Sequence, residues 1–311
     1  MTRLKKGDQV ALLAPSGPCD PKRVAKGAKA LENFGLRPYI MNSCFSKNGY
    51  LAGSDAGRAS DLMEAFMHPE VKGIFAIRGG YGAQRILSLL DYDLIAKNPK
   101  LFAGYSDITA LHIAFNQFCG FITYHSPMPG TELYQKDIDE YTVSSFLGNI
   151  MEGSTAPDIP CTPLVLGSAS GILTGGNLSL LASSLGTPYE IDTKDKILFI
   201  EEIQEEPYKI DRMLLQLKYA GKFNNCRAIL LGSLSPETHK TIYQSIEDIL
   251  IPLGIPIAAD IPCGHCLPTA TLPLGQNLSL TLTSKKAIIT TCPCHLNSFP
   301  NLRQQATSRM P

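Results

Sequence analysis

The stretch Lys100-Leu-Phe-Ala-Gly-Tyr-Ser-Asp-Ile-Thr-Ala-Leu-His112 runs from an apolar strand, Leu101 to Tyr105, through a serine into a helical pattern. A serine at such a junction stands outside the sheet ladder, its hydroxyl displayed beside the N–H groups that open the helix. Ser106 is therefore a candidate nucleophile. The competing reading is that Ser106 simply caps the helix, since Ser and Asp are both favoured N-caps.

Upstream, the same strand-to-helix text repeats. Gln9 to Ala14 is an apolar run ending at Pro15-Ser-Gly17, followed by a helical segment from Pro21 to Phe34 and a strand near Arg37 to Met41. Asp55 to His68 reads as a helix, Gly73 to Ile77 as a strand and Ala83 to Leu90 as a helix. Short apolar runs that do not alternate are strands covered on both faces, the pattern of a parallel sheet between helix layers. The fold class is α/β, with a doubly wound, mostly parallel sheet in the N-terminal half. In such sheets ligands gather beyond the carboxyl ends of the strands, where the loops Pro15 to Pro18, Arg78 to Gly82 and Tyr105 to Ile108 emerge.

The text changes between Thr131 and Gly167, where Pro157, Pro160 and Pro163 interrupt mixed polar residues. Beyond it come a strand at Gly171 to Thr174, a Gly175-Gly-Asn177 turn and a helix from Leu178 to Leu185. A strand at Lys196 to Ile200, a helix near Ile210 to Ala220 and a strand at Ala228 to Leu231 follow. A helix from Lys240 to Leu250 and strands at Ile255 to Asp260 and Leu278 to Leu282 complete a smaller C-terminal α/β domain with mixed pairing. The expected division is a nucleophile domain over 1–145, a linker over 146–166, a second domain over 167–295 and a polar tail over 296–311. A chain of 311 residues, about twice the usual domain length, agrees with two cores.

Lys+Arg and Asp+Glu stand at 28 each, so no global field recruits nucleic acid or a membrane surface, and a small neutral or zwitterionic partner fits better. The run Val10 to Pro15 behind the basic start is too short for a signal peptide or a membrane span. Nine cysteines, without the dense spacing of a secreted scaffold, indicate reduced thiols and a cytoplasmic location.

A serine hydroxyl needs a base, and the base needs a carboxylate to orient its ring. Of six histidines, His68 ends a helix, His112 points away from the serine turn, and His239 and His295 lie in polar segments. His125, after a strand, is placed to line the first domain's pocket. His265, in the loop Pro262-Cys-Gly-His-Cys-Leu-Pro268, suits display into a cleft. Carboxylates cluster in Leu198-Phe-Ile-Glu-Glu-Ile-Gln-Glu-Glu206, where Glu201 and Glu202 directly follow a buried strand. A solvated acidic loop is the plainer reading of that run.

These residues carry a resemblance. Ala14-Pro-Ser-Gly17, Gly53-Ser-Asp-Ala-Gly-Arg-Ala-Ser-Asp-Leu62, Ile77-Arg-Gly-Gly-Tyr-Gly82 and Gly104-Tyr-Ser-Asp-Ile-Thr-Ala-Leu111 resemble the LD-carboxypeptidase family of serine peptidases, which includes the microcin C immunity hydrolases. The likeness continues through Gly175-Gly-Asn-Leu-Ser-Leu-Leu181, Ile197-Leu-Phe-Ile-Glu-Glu202, Tyr208-Lys-Ile-Asp-Arg-Met-Leu214 and Gly264-His265. It covers residues 5 to 283 and implies a nucleophile at Ser106, a glutamate at Glu201 and a histidine at His265. It further implies two domains with the active site between them, a homodimer, and a site that needs no metal or other cofactor. Two positions depart from the usual pattern: Glu201-Glu202 replaces Glu-Asp, and His125-Ser-Pro-Met128 replaces His-Gly-Pro-Met.

On that reading the oxyanion rests against the backbone N–H groups of Asp107 and Gly80, and Arg78 offers a guanidinium fork to a terminal carboxylate. The implied reaction releases terminal D-alanine from a cytoplasmic murein tetrapeptide in cell-wall recycling. Three alternatives stay open: hydrolysis of aminoacyl-nucleotide conjugates by the same residues, a non-catalytic small-ligand module, and a zinc protein. The last would use Cys263 and Cys266 with Cys292, Cys294 and His295.

Overall fold

The computed structural model describes residues 3–234 and 239–291. The polar tail and the Cys292, Cys294 and His295 cluster lie outside the described residues. Two compact units divide at Pro157/Asp158, and the short segment Thr271–Pro273 belongs to the first.

The first unit begins with β1 (Gln9–Leu13), whose residues from Val10 onward are fully buried. Helix α1 (Pro21–Asn33) starts on Asp20, whose side chain accepts from the Lys22 N–H at 2.7 Å, with proline in the first turn. Next come β2 (Arg37–Ile40), α2 (Asp55–Met67) capped by Ser54, and β3 (Val71–Ala76). The segment read as one helix over 83–90 is a short helix α3 (Ala83–Ile86) followed by a 3-10 turn at Leu87–Leu89. Helix α4 (Tyr92–Lys97), β4 (Leu101–Gly104), α5 (Thr109–Ala114), β5 (Thr123–His125) and α6 (Glu140–Ile150) complete the run.

The sheet order is β2, β1, β3, β4, β5, with a later strand at Leu272–Leu274 beside β5. The first five strands pair in parallel, with Leu12 opposite Ile40 and Phe75, and Gly104 opposite His125. Helices cover both faces, which is why the strands read as unbroken apolar runs. On one face Phe75 meets Phe146 of α6 at 6.0 Å between ring centroids. On the other, Phe102 packs on Phe115 at 4.9 Å and Phe66 on Phe115 at 5.3 Å. β1, β3 and β4 are adjacent, so the three loops singled out from the sequence leave the same edge of the sheet.

The expected linker over 146–166 is not irregular throughout: it holds the end of α6 and β6 (Thr162–Val165). In the second unit β7 (Gly167–Asn177) is eleven residues long and absorbs the glycine pair read as a turn. Gly175 stays in the ladder opposite Phe199, and a Cβ there would lie 1.9 Å from the Phe199 carbonyl oxygen. The glycines permit close strand approach here, not chain reversal. Helix α7 (Leu178–Ser183), β8 (Lys196–Glu202), α8 (Pro207–Tyr219), β9 (Ala228–Leu234), α9 (His239–Ser245) and β10 (Ile257–Ala259) follow. The Leu272–Leu274 strand is β11, followed by β12 (Asn277–Leu282) and β13 (Ala287–Thr291). The seven-stranded order is β13, β12, β7, β8, β9, β10, β6, parallel from β7 to β10 and antiparallel at its margins. No helix among the described residues is long and apolar enough to cross a membrane.

Candidate active site

Ser106 leaves β4 in a left-handed conformation, φ 67°. A non-glycine residue there costs on the order of 1 kcal/mol and persists only where surrounding structure holds it. Ser106 opens a 3-10 turn through Ile108 that runs into α5, and no side chain caps either start. The capping alternative therefore fails, and another cause is needed for a strained serine.

The loop after β3 passes directly over this residue. A Cβ on Gly79 would lie 2.9 Å from the Ser106 Cβ and 3.0 Å from its Oγ, so only glycine fits. Gly80 is at φ 116°, where a side chain is strained, and its Cβ would lie a tight 3.2 Å from the Gly17 backbone. The Gly17 N–H donates to the Gly79 carbonyl at 3.2 Å, tying the loop after β1 to the loop after β3.

Buried polar groups fasten all three loops. The Asp107 carboxylate accepts from the Ser16 hydroxyl at 2.5 Å and from the Ala83 N–H at 2.7 Å. Burial pushes its carboxyl pKa up, against the pull of these two hydrogen bonds and of the Arg58 charge. Arg58, 1% exposed, donates to the carbonyls of Pro15 and Gly82 and pairs with Asp55. Arg85 also holds Asp55, at 2.7 Å, and keeps its carboxyl below the usual range. Arg78 is half-buried and donates to the Pro18 carbonyl at 3.0 Å. Among the described residues no carboxylate pairs with it.

In the second unit β8 delivers two adjacent carboxylates to opposite sides. Glu201, fully buried, accepts from His265 Nδ1 at 2.8 Å through Oε2, while its Oε1 has no partner. With Nδ1 donating, the neutral ring carries its lone pair on Nε2. Gly264, at φ 109°, makes the contact possible, since a Cβ there would lie 2.5 Å from Glu201 Oε2. Glu202 turns the other way and accepts from Asn177 Nδ2 (2.9 Å), the Ser179 N–H (2.8 Å), the Ser179 hydroxyl (2.6 Å) and its neighbour's N–H. It anchors the start of α7, which rules out the solvated-loop reading of both glutamates.

The first unit thus gathers Ser106, Asp107, Gly80 and Arg78, and the second joins Glu201 to His265. The roles of Ser16 and Arg58 were missed in the sequence, yet Arg58 carried a signal. It shares a helical face with Leu62 and Ala65, both fully buried, and a guanidinium on such a stripe must be held by buried acceptors. His125 does not line an open pocket: it is 1% exposed, packed on Tyr105 and His112. His112 sits 2.8 Å from the Gly104 carbonyl through Nε2, and complete burial lowers its pKa to about 4. The Cys263 and Cys266 thiols donate to different carbonyls, those of Ala270 and Pro268. Among the described residues no three His, Cys, Asp or Glu side chains gather in metal-binding geometry.

Residues 10–126 match the LD-carboxypeptidase N-terminal domain and residues 170–280 the LD-carboxypeptidase C-terminal domain. A probable murein peptide carboxypeptidase of Bacillus subtilis is 42% identical over 295 residues, covering 92% of each chain. Among solved structures, an MccF-like protein from Bacillus anthracis superposes with a TM-score of 0.86 at 29% identity, covering 93% of this chain and 98% of that one. A muramoyltetrapeptide carboxypeptidase from Oxalobacter formigenes gives 0.80 at 28% identity, covering 91% and 98%. Two domain matches in order, and a relative at 42% identity along nearly the whole length, establish that the chain belongs to the LD-carboxypeptidase family of peptidases.

Proposed function

We propose that the chain is a serine-type LD-carboxypeptidase that releases terminal D-alanine from murein tetrapeptides. Ser106 is the nucleophile, His265 its base through Nε2, and Glu201 holds the ring and stabilises the imidazolium. The backbone N–H groups of Asp107 and Gly80 receive the oxyanion, and Arg78 receives the substrate's terminal carboxylate. The observation that carries this reading is the 2.8 Å Glu201–His265 contact, a buried carboxylate spent on one histidine nitrogen. The strained φ of Ser106 supports its half of the assignment.

The place of action on this reading is the cytoplasm, in cell-wall recycling, with the enzyme a homodimer. Free thiols at Cys19, Cys44, Cys119, Cys161, Cys226, Cys263 and Cys266 support a reducing compartment. Incubation with tetrapeptides with and without the disaccharide, followed by mass analysis for loss of one alanine, tests the activity and its preference. Likeness to the MccF-like protein favours a second reading, hydrolysis of aminoacyl-nucleotide conjugates by the same residues. Side-by-side rates on the two substrate types separate them.

A further inference from the structure

Where β1, β3 and β4 begin, at the end of the first sheet away from Ser106, lies a cavity of about 490 Å³. Its size falls in the usual range for small-ligand sites. Arg3, Lys5, Lys72 and Lys100 line it, with Asp8 as its one carboxylate. Asp8 is committed to the Lys5 N–H at 2.8 Å, and Lys5 pairs with Glu152 at 3.6 Å. Among the described residues no carboxylate lies within ion-pair distance of Arg3, Lys72 or Lys100. In a chain of zero net charge, three cations around one cavity without a counter-ion call for a cause.

Lys100 is the most telling of them. It is 9% exposed, and its ammonium donates to the carbonyls of His68 and Val71, leaving one of three donors unspent. Lys72 donates to the Pro69 carbonyl at 3.0 Å and has two left. Burial, and then the charge of Lys72, lower the Lys100 pKa to about 8. An anion between the two ammonium groups would offset both effects.

We propose that this cavity binds a phosphate group, with Lys72 and Lys100 supplying the charge and the apolar walls of Leu4, Met67 and Leu101 taking any attached organic part. Ammonium groups reach a phosphate as point charges from separate directions, whereas a planar carboxylate is better served by a guanidinium fork. The Arg3 guanidinium is already engaged with the Ser154 carbonyl. The site is independent of the hydrolase reading, because none of its residues belongs to the loops around Ser106 or to the Glu201–His265 pair.

Calorimetric titration of the full chain at neutral pH with inorganic phosphate and with glycerol phosphate tests the proposal, with sodium chloride at matched ionic strength as the reference. Saturable one-site binding is expected, weakened at least about tenfold in Lys72→Met and in Lys100→Met and unchanged in Ser106→Ala. A preference for glycerol phosphate would identify an ester as the occupant, and a preference for inorganic phosphate the free ion. Lys72 is exposed, so its variant keeps the test sound if Lys100→Met fails to fold. Heats that do not saturate, heats matched by chloride, or wild-type affinity in Lys72→Met would overturn the proposal.

Discussion

In Glu201→Gln the amide keeps the volume of the carboxylate, and its oxygen can still accept the His265 Nδ1 bond now at 2.8 Å. On the proposed mechanism, what disappears is the charge that would stabilise the imidazolium as the ring takes the serine proton. Removing that charge should lower kcat by about 10²- to 10⁴-fold, or ~3–5 kcal/mol of transition-state stabilisation. Stability should stay within about 1 kcal/mol, because the amide NH2 group takes the place of a buried oxygen that already lacks a partner. Glu202→Gln should behave in the opposite way. Its two oxygens accept from Asn177, twice from Ser179 and from the Ile203 N–H, so an amide nitrogen must face donors on one side or the other. Losing two charge-assisted bonds costs ~3 kcal/mol of folding free energy, with kcat expected within about tenfold of wild type. Urea unfolding and D-alanine release measured on both variants resolve the two effects. If Glu202→Gln is the slow, stable variant and Glu201→Gln the active, weakened one, the orienting carboxylate has been misassigned.

Ser106→Ala should abolish D-alanine release with stability changed by no more than about 1 kcal/mol, and Ser106→Gly should be equally inactive but more stable than the alanine variant by ~1 kcal/mol, since glycine accepts positive φ freely. Asp107→Ala removes the acceptor shared by Ser16 and Ala83; kcat should fall ~10- to 100-fold as the loops lose register, and unfolding free energy should drop by ~2 kcal/mol, both read on purified protein. Folded His112 resists protonation down to about pH 4 while the unfolded chain takes the proton near 6.5, so its contribution is complete above that range and is lost as pH falls through it. The loss amounts to about 3 kcal/mol, and urea titrations on wild type and His112→Leu should show the acid-side slope flatten in the variant. Prolonged treatment with a strong chelator should leave the rate unchanged; activity that tracks zinc content and returns with added zinc would favour the cysteine cluster instead.

The parallel order of the first unit was legible because Val10 to Leu13, Ile74 to Ala76 and Phe102 are buried on both faces and therefore read as continuous apolar runs. Helices with side-chain caps and apolar stripes, α1 and α2, were placed within a residue or so of their ends. Glycine misled at Gly175 and Gly176, where the signal for a turn and the signal for tight strand contact are the same residue. Strand β6, half-exposed and opened by Thr162-Pro163, lacks a periodic signature, so its stretch read as linker. For the site, the serine junction was visible in the residues themselves. Resemblance had to choose Glu201 over Glu202, because which side of a strand faces a histidine 64 residues later depends on the register of the sheet. Asp107 was read for its backbone alone, and its side chain's hold on Ser16, 91 residues earlier, was invisible without the fold.

The proposed function has this chain remove a terminal D-amino acid through Ser106. Its most direct test is incubation of wild type and Ser106→Ala with a murein tetrapeptide, each followed by mass analysis of peptide and released amino acid. A tripeptide and one equivalent of D-alanine are expected from the wild type, and intact tetrapeptide from the variant at matched folding. Intact tetrapeptide from the folded wild type, or D-alanine release at near-normal rate by Ser106→Ala, would contradict it.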